Sequence, residues 1–148
     1  MALPKFTIGI EEEYQIVHPE TRELTSYIQE FLDSGRVILK DDIKPEFLQS
    51  QVEVGSRICH SIQEARTEIT RLRRKVSSLA AERGLRIAAA GTHPFTSWTT
   101  QEVTAGERYT KHEESMADIA RQMLVFGMHV HIAIEDGELM VDVMNQSR

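Results

Sequence analysis

The 148-residue chain has one cysteine, Cys59, so no disulfide can form within it, and a reducing, cytoplasmic setting is the expectation. It has no excess of basic residues: Lys and Arg total 17 against 23 Asp and Glu, a net charge of −6. That balance argues against non-specific nucleic-acid binding, which needs clustered cations to neutralise phosphate. Phosphate-bearing small molecules stay open, because a bound divalent cation reverses the local field. No apolar run approaches the roughly 20 residues of a membrane span, and the opening MALPKFTIG carries no long apolar segment of a secretory leader. There is no internal repeat, low-complexity tract or linker, so a single domain is expected over residues 1–148.

What the chain does have is alternation. In residues 6–17, Phe6, Ile8, Ile10, Tyr14 and Ile16 fall on one side, with Thr7, Gly9, Glu11, Glu13 and Gln15 on the other. A period of two predicts a strand with one buried face, ended at the His18-Pro19 turn. It also splits three adjacent glutamates. Glu11 and Glu13 share the polar face; Glu12 turns to the apolar one, where it needs a partner or an edge because an unpaired buried carboxylate is costly. Residues 47–58 alternate again, with Leu48, Val52 and Val54 opposite Gln49, Gln51, Glu53 and Gly55. In 125–134, Met128, Val130, Ile132 and Ile134 oppose Gly127, His129, His131 and Ala133. A shorter strand is expected at 85–90, followed by a loop, GTHPFTSW.

Helices are predicted between these strands. Ser26 to Gln29 and Ser61 to Glu64 both match a capping box. The first opens a short helix stopped by Gly35. The second opens a helix of about 20 residues with an apolar stripe at Ile62, Ala65, Ile69, Leu72, Val76 and Leu79, stopped at Gly84. The basic run Arg71 to Lys75 reads as its solvated face. Met116, Ile119, Ala120 and Met123 mark a further helix after a polar loop at 99–111, and ELMVDVMNQSR begins another.

If the three strong strands are neighbours, their polar faces bring Glu11, Glu13, Gln49, Gln51, Glu53, His129 and His131 together. Residues i and i+2 on one face lie roughly 7 Å apart. Taken singly, a Glu-x-Glu strand is more often a solvated face, and His-x-His serves metal ligation and packing about equally. The conjunction of three strands points further. Carboxylates so placed repel unless a cation lies between them, and hard oxygen donors with imidazole suit Mg²⁺ or Mn²⁺. A cluster without cysteine is unlike a structural zinc site. A His-x-His metal-dependent hydrolase is a weaker reading, since His18, His60, His93 and His112 lack matching spacing.

The order Gly9-Ile10-Glu11-Glu12-Glu13-Tyr14, Gln51-Val52-Glu53 with Cys59, Gly91-Thr92-His93-Pro94-Phe95 with Trp98, Arg108-Tyr109, and Gly127-Met128-His129-Val130-His131 resembles the carboxylate–amine ligase family, also called glutamate–cysteine ligase type 2. The resemblance runs from Phe6 to Arg148. It implies an α+β, glutamine synthetase-like fold in which a curved, mainly antiparallel sheet lines the active site and helices pack on its back. It implies ATP-dependent phosphorylation of a glutamate-like carboxylate, followed by amide formation with an amine such as cysteine.

By motif, the resemblance makes Glu11 and Glu13 Mg²⁺ ligands, with Glu53 and His129 completing the set. Gln49, Gln51 and His131 become substrate or supporting contacts, Thr92 a hydrogen-bonding group and Arg108 a clamp for carboxylate or phosphate. His93 and Cys59 are expected to be structural. The family's members are more than twice this long, so the chain is expected to be an N-terminal part of such a catalytic domain. The C-terminal half would then be missing, and exposed edges would favour self-association or a complementing chain. The two activity readings are the ligase itself and a non-catalytic half that binds metal or partner. The chain has no Gly-rich phosphate loop, which decides little because this family does not use one.

Overall fold

A computed structural model describes residues 6–27, 43–105 and 124–147. The expected helices after Ser26 and around Met116 to Met123 lie outside those residues, as does Arg108. Five strands form one antiparallel sheet: β1 (Thr7–Val17), β2 (Ile43–Pro45), β3 (Gln51–Gly55), β4 (Arg86–Ala88) and β5 (Met128–Ala133). Two α-helices, α1 (Ile62–Glu82) and α2 (Gly137–Gln146), and a 3₁₀ turn at Trp98–Thr100 complete the described elements. The order is β2-β3-β1-β4, and β5 also pairs with β1. β1 is the hub. Residues 11–15 pair with β3 on one edge, while 7–12 pair with β5 and 15–17 with β4 on the other.

The back of the sheet is dry. Tyr14, Ile16, Ile43, Val52 and Val54 pack against Leu72, Val76, Leu79, Ala80 and Leu85. The helical stripe is the predicted one apart from Ile62, which opens the helix and stays exposed. Each fully buried Leu or Val contributes roughly 1.5–3 kcal/mol of hydrophobic stabilisation. The N-terminus of α1 is held as its sequence suggests. Ser61 Oγ accepts from the Glu64 amide at 3.2 Å, and the Glu64 carboxylate accepts from His60 N at 2.8 Å. Gly84, at φ +69°, takes the left-handed turn that releases the chain into β4.

Two arginines expected on the solvated face, Arg71 and Arg73, instead hold carboxylates of this back layer. Arg73 grips the Glu12 carboxylate with two guanidinium nitrogens, and Tyr14 donates its hydroxyl to the same group. Glu68, 1% exposed, accepts from Arg71 Nη2 at 2.6 Å and Nε at 3.0 Å, with Arg57 3.3 Å away. Burial pushes the Glu12 carboxyl up, but the bonds from Arg73 and Tyr14 outweigh it and hold it below the usual range. Burial and the Glu12 charge together push the Tyr14 hydroxyl well up.

The far part of the sheet is barely covered. All six residues of β5 are exposed, and Met128, Val130 and Ile132 present an apolar row. α2 is capped by Asp136, whose Oδ1 accepts from Leu139 N at 2.9 Å, yet it buries none of its residues. No described helix is long and apolar enough to cross a membrane.

Candidate functional site

The antiparallel registers decide what meets on the front of the sheet. Lys44 stands opposite Glu53, and Glu53 opposite Glu13, forming one cross-strand row. The row ends at Gly127, whose amide lies 2.8 Å from Glu13 Oε2 and whose carbonyl accepts from Glu13 N at 3.0 Å. In the next row Glu11 lies between Gly55 and His129, and in the third Gly9 faces His131. Side chains in such rows share a face, so β1, β3 and β5 do converge their carboxylates and imidazoles as their alternation predicts.

Within that face the acidic groups form two sets. Glu11, His129 and His131 each offer a ligand atom within 4.8 Å of the others; so do Glu13, Glu46 and Glu53. His131 Nε2 is 3.0 Å from Glu11 Oε2, and His129 Nδ1 is 3.8 Å from the same oxygen. The hydrogen bond from His131 holds the Glu11 carboxyl below its usual range against a smaller upward push from burial, with the charges of His131, Lys44 and His129 adding. Gly9 stands beside His131 in this row, and a Cβ there would lie 3.6 Å from the His131 Cβ, an ordinary contact.

Glu13 is fixed by the protein: besides Gly127 N, the Gln51 amide donates to its Oε2 at 3.0 Å and reaches the Val125 carbonyl at 3.4 Å. Gln51 is buried, so its amide sets where the Glu13 oxygen points. Lys44 Nζ lies 3.3 Å from Glu53 Oε1 and 4.0 Å from Glu11 Oε1, touching both sets.

The two donor sets differ in chemistry. Three carboxylates about 5 Å apart repel by about 1 kcal/mol per pair in water, and by several times that where the surroundings are less polar. Oxygen donors of this kind suit a hard divalent ion such as Mg²⁺, and the carboxylate with two imidazoles suits Mn²⁺ as well. The residues present therefore fit the cation that the motifs imply. Glu11 and His129 fall in one set and Glu13 and Glu53 in the adjoining one, so the four expected ligands lie side by side on this face.

Other expected contacts fall differently. Gln49 does not share this face by strand alternation. A tight turn, closed by Gln51 N on the Leu48 carbonyl at 3.0 Å, breaks the alternation before β3, and the Gln49 amide donates to Val103 O at 3.2 Å. Thr92 is exposed and bridges to Val125 at the edge of the sheet, outside both acidic sets. His93 is structural: its Nε2 is 3.0 Å from the Arg22 carbonyl and its Nδ1 accepts from Thr96 N at 3.0 Å. Cys59 is buried, its backbone paired with Ile8.

Glu46 was missed because β2 is only three residues long and ends on a proline, too short for a periodic signal. The available clue was spacing: Glu46 follows Lys44 by two positions.

The model of the Glutamate-cysteine ligase family 2 (GCS2) matches residues 7–148. Three similar proteins, each named "Putative glutamate–cysteine ligase 2", come from Herpetosiphon aurantiacus, Roseiflexus castenholzii and Solibacter usitatus. They are 57%, 54% and 46% identical, over 97%, 97% and 98% of this chain. The match takes in only 37%, 38% and 38% of their own lengths, so the chain spans little more than a third of these relatives. Among solved structures, the fold resembles the glutamate–cysteine ligase of Francisella tularensis crystallised with AMP, at a TM-score of 0.67 and 12% identity. That likeness covers 99% of this chain and 30% of the other.

Proposed function

Because the chain belongs to the Glutamate-cysteine ligase family 2, we propose that it supplies the cation-binding face of an ATP-dependent ligase. The reaction joins a glutamate-like carboxylate to an amine such as cysteine. The observation that carries this reading is the cross-strand row placing Glu13 against Glu53, with Glu46 in reach and Glu11 beside His129 and His131. The AMP held by the Francisella tularensis enzyme is in keeping with ATP as the co-substrate.

Glu11, Glu13, Glu46, Glu53 and His129 would hold Mg²⁺ or Mn²⁺. When bound, the ions neutralise phosphate charge during phosphoryl transfer. The chain's own work is positioning. The Gln51 amide and Gly127 N fix one Glu13 oxygen, His131 fixes one Glu11 oxygen, and the sheet keeps these groups at one spacing. Thr92 and Arg108 are the proposed substrate-side contacts, while Gln49, whose amide is spent on the Val103 carbonyl, would act from behind them. The protein needs no nucleophile of its own, since ATP activates the carboxylate.

The open apolar faces of β5 and α2 favour a second component to this reading. With relatives more than twice as long, these faces would be covered by further polypeptide of the kind the relatives carry, or by another copy, before turnover begins.

The test is phosphate release in the presence of ATP, Mg²⁺, glutamate and cysteine. It is run on the chain alone and on the chain mixed with a polypeptide matching the rest of a relative. Release should need all four components and should fall at least tenfold in Glu13→Gln. A folded complex that releases no phosphate, or a Glu13→Gln variant as active as its parent, overturns the ligase reading.

A further inference from the structure

We propose that Lys44 is the resident cation of this face: its ammonium holds the position of a divalent ion and withdraws when that ion binds. The inference rests on the cation-binding reading above and adds to it the residue that sets how readily the ion enters. Lys44 reaches the front because β2 pairs antiparallel with β3 and sets it opposite Glu53. Its Nζ is 3.3 Å from Glu53 Oε1 and 4.0 Å from Glu11 Oε1. Those two carboxylates belong to separate ligand sets, so one ammonium touches a member of each, reaching Glu11 on the oxygen that the histidines leave free.

Space allows this. The position across from Glu11 is Gly55, whose missing side chain leaves the ammonium open room beside it: even a Cβ built there would stand 3.9 Å from Nζ.

The energetics favour a placeholder over a fixed strut. The Lys44 side chain is 53% exposed, and exposed lysine–carboxylate pairs contribute about 0–1 kcal/mol. A lysine stem has many rotamers, so water can receive its ammonium at small cost. Arg73 behind the same strand offers the contrast. Its planar guanidinium holds Glu12 through two bonds, and Glu12 is only 5% exposed. A monovalent, loosely held ammonium between ligand oxygens keeps them from repelling each other, yet yields to a dication that brings twice the charge.

Mn²⁺ binding to the whole chain, followed by calorimetry and by the electron paramagnetic resonance of free Mn²⁺ at low salt, tests this. Lys44→Met should bind Mn²⁺ about two- to fivefold more tightly, since no ammonium has to leave. Its metal-free form should melt lower than the parent's, and the two melting temperatures should converge on saturation with Mn²⁺. Lys44→Arg should bind Mn²⁺ no more tightly than the parent. Unchanged affinity in Lys44→Met overturns the inference, and weaker affinity does too, because Lys44 would then organise the ligands. A parent chain that binds no Mn²⁺ overturns both this inference and the cation-binding reading; a parent that binds with Lys44→Met unaltered overturns this inference alone. Should Lys44→Met not fold, the parent still decides. The Lys44 side-chain NMR resonance, assigned by its loss in Lys44→Arg, should shift on adding Mg²⁺, and a resonance that stays put overturns the proposal.

Discussion

Glu12 and Glu13 are adjacent on β1, and one pleat separates two ways of treating a carboxylate. On the back of the sheet Glu12 is buried, gripped by Arg73 and bonded by Tyr14, and Glu68 is enclosed between Arg71 and Arg57. On the front Glu11, Glu13, Glu46 and Glu53 are half-buried, and among the described residues the basic groups that meet Glu11 and Glu53 are one lysine and two imidazoles. Guanidinium is always charged, planar and able to make two parallel bonds, so the back carries its own neutralisation. Among the described residues the front carries more carboxylates than lysines or arginines. A sheet that needed its front only for stability could have used the same guanidinium solution there.

The largest test of this comparison removes a back-face cation. Arg73→Ala leaves Glu12 nearly buried with only the Tyr14 hydroxyl. Breaking a buried pair in this way costs about 3–5 kcal/mol when both groups are enclosed. Because the Arg73 side chain is 55% exposed, a loss of about 2–4 kcal/mol is expected here, read as a lower urea midpoint at unchanged slope. The double variant Glu12→Gln with Arg73→Met should lose less than Arg73→Ala alone, since it leaves no buried charge behind. A single variant as stable as its parent would make the back pair as dispensable as a surface one.

A middle-sized effect is expected in pH. The hydrogen bond from Arg71 holds the Glu68 carboxyl below its ordinary value of 4.5, outweighing burial, with the charges of Arg71 and Arg57 adding. Lowered in the folded chain and ordinary in the unfolded one, this group binds its proton first when the chain is unfolded. Its stabilisation is therefore full above about 4.5 and is lost as pH falls through the lower folded value. Urea midpoints from pH 6 down to pH 3, on the order of the carboxylate range, should fall more gently in Glu68→Gln than in the parent. Parallel curves would mean that Glu68 titrates alike in both states.

The same contrast explains what could be read from the sequence. Alternation alone separated Glu12 from Glu11 and Glu13, because a pleat of period two admits no other arrangement. The α1 stripe was equally plain, and it held an unused clue. Arg73 lies four residues after Ile69 and three before Val76, and Glu68 three after Ala65 and four before Leu72, so both sit on the stripe itself. A charged residue on a buried stripe needs a partner from another element, yet periodicity does not name it; Arg73 finds Glu12 from 61 residues away. Glu46 and Lys44 were not legible because three residues carry no period, and Gln49 was misplaced because a turn breaks alternation without altering composition. The apolar row of β5 was legible as a row, but a period says which side chains want cover and nothing about which segment supplies it.

The smallest expected effect lies on the front, where Glu53→Gln should change stability by less than about 1 kcal/mol in either direction. The variant loses the pair with Lys44, whose side chain is half exposed, and at the same time relieves repulsion from Glu13 and Glu46. The two effects oppose each other, and the backbone pairing of β3 with β1 and β2 does not depend on the charge. The same variant should bind Mn²⁺ several-fold more weakly, since one of three oxygen donors has become a neutral amide. A near-neutral urea midpoint together with weakened Mn²⁺ binding keeps the two faces distinct. A loss above 2 kcal/mol, well beyond the usual range of an exposed pair, would erase the distinction: the front carboxylates would then be part of the scaffold, held for the fold's sake as Glu12 is.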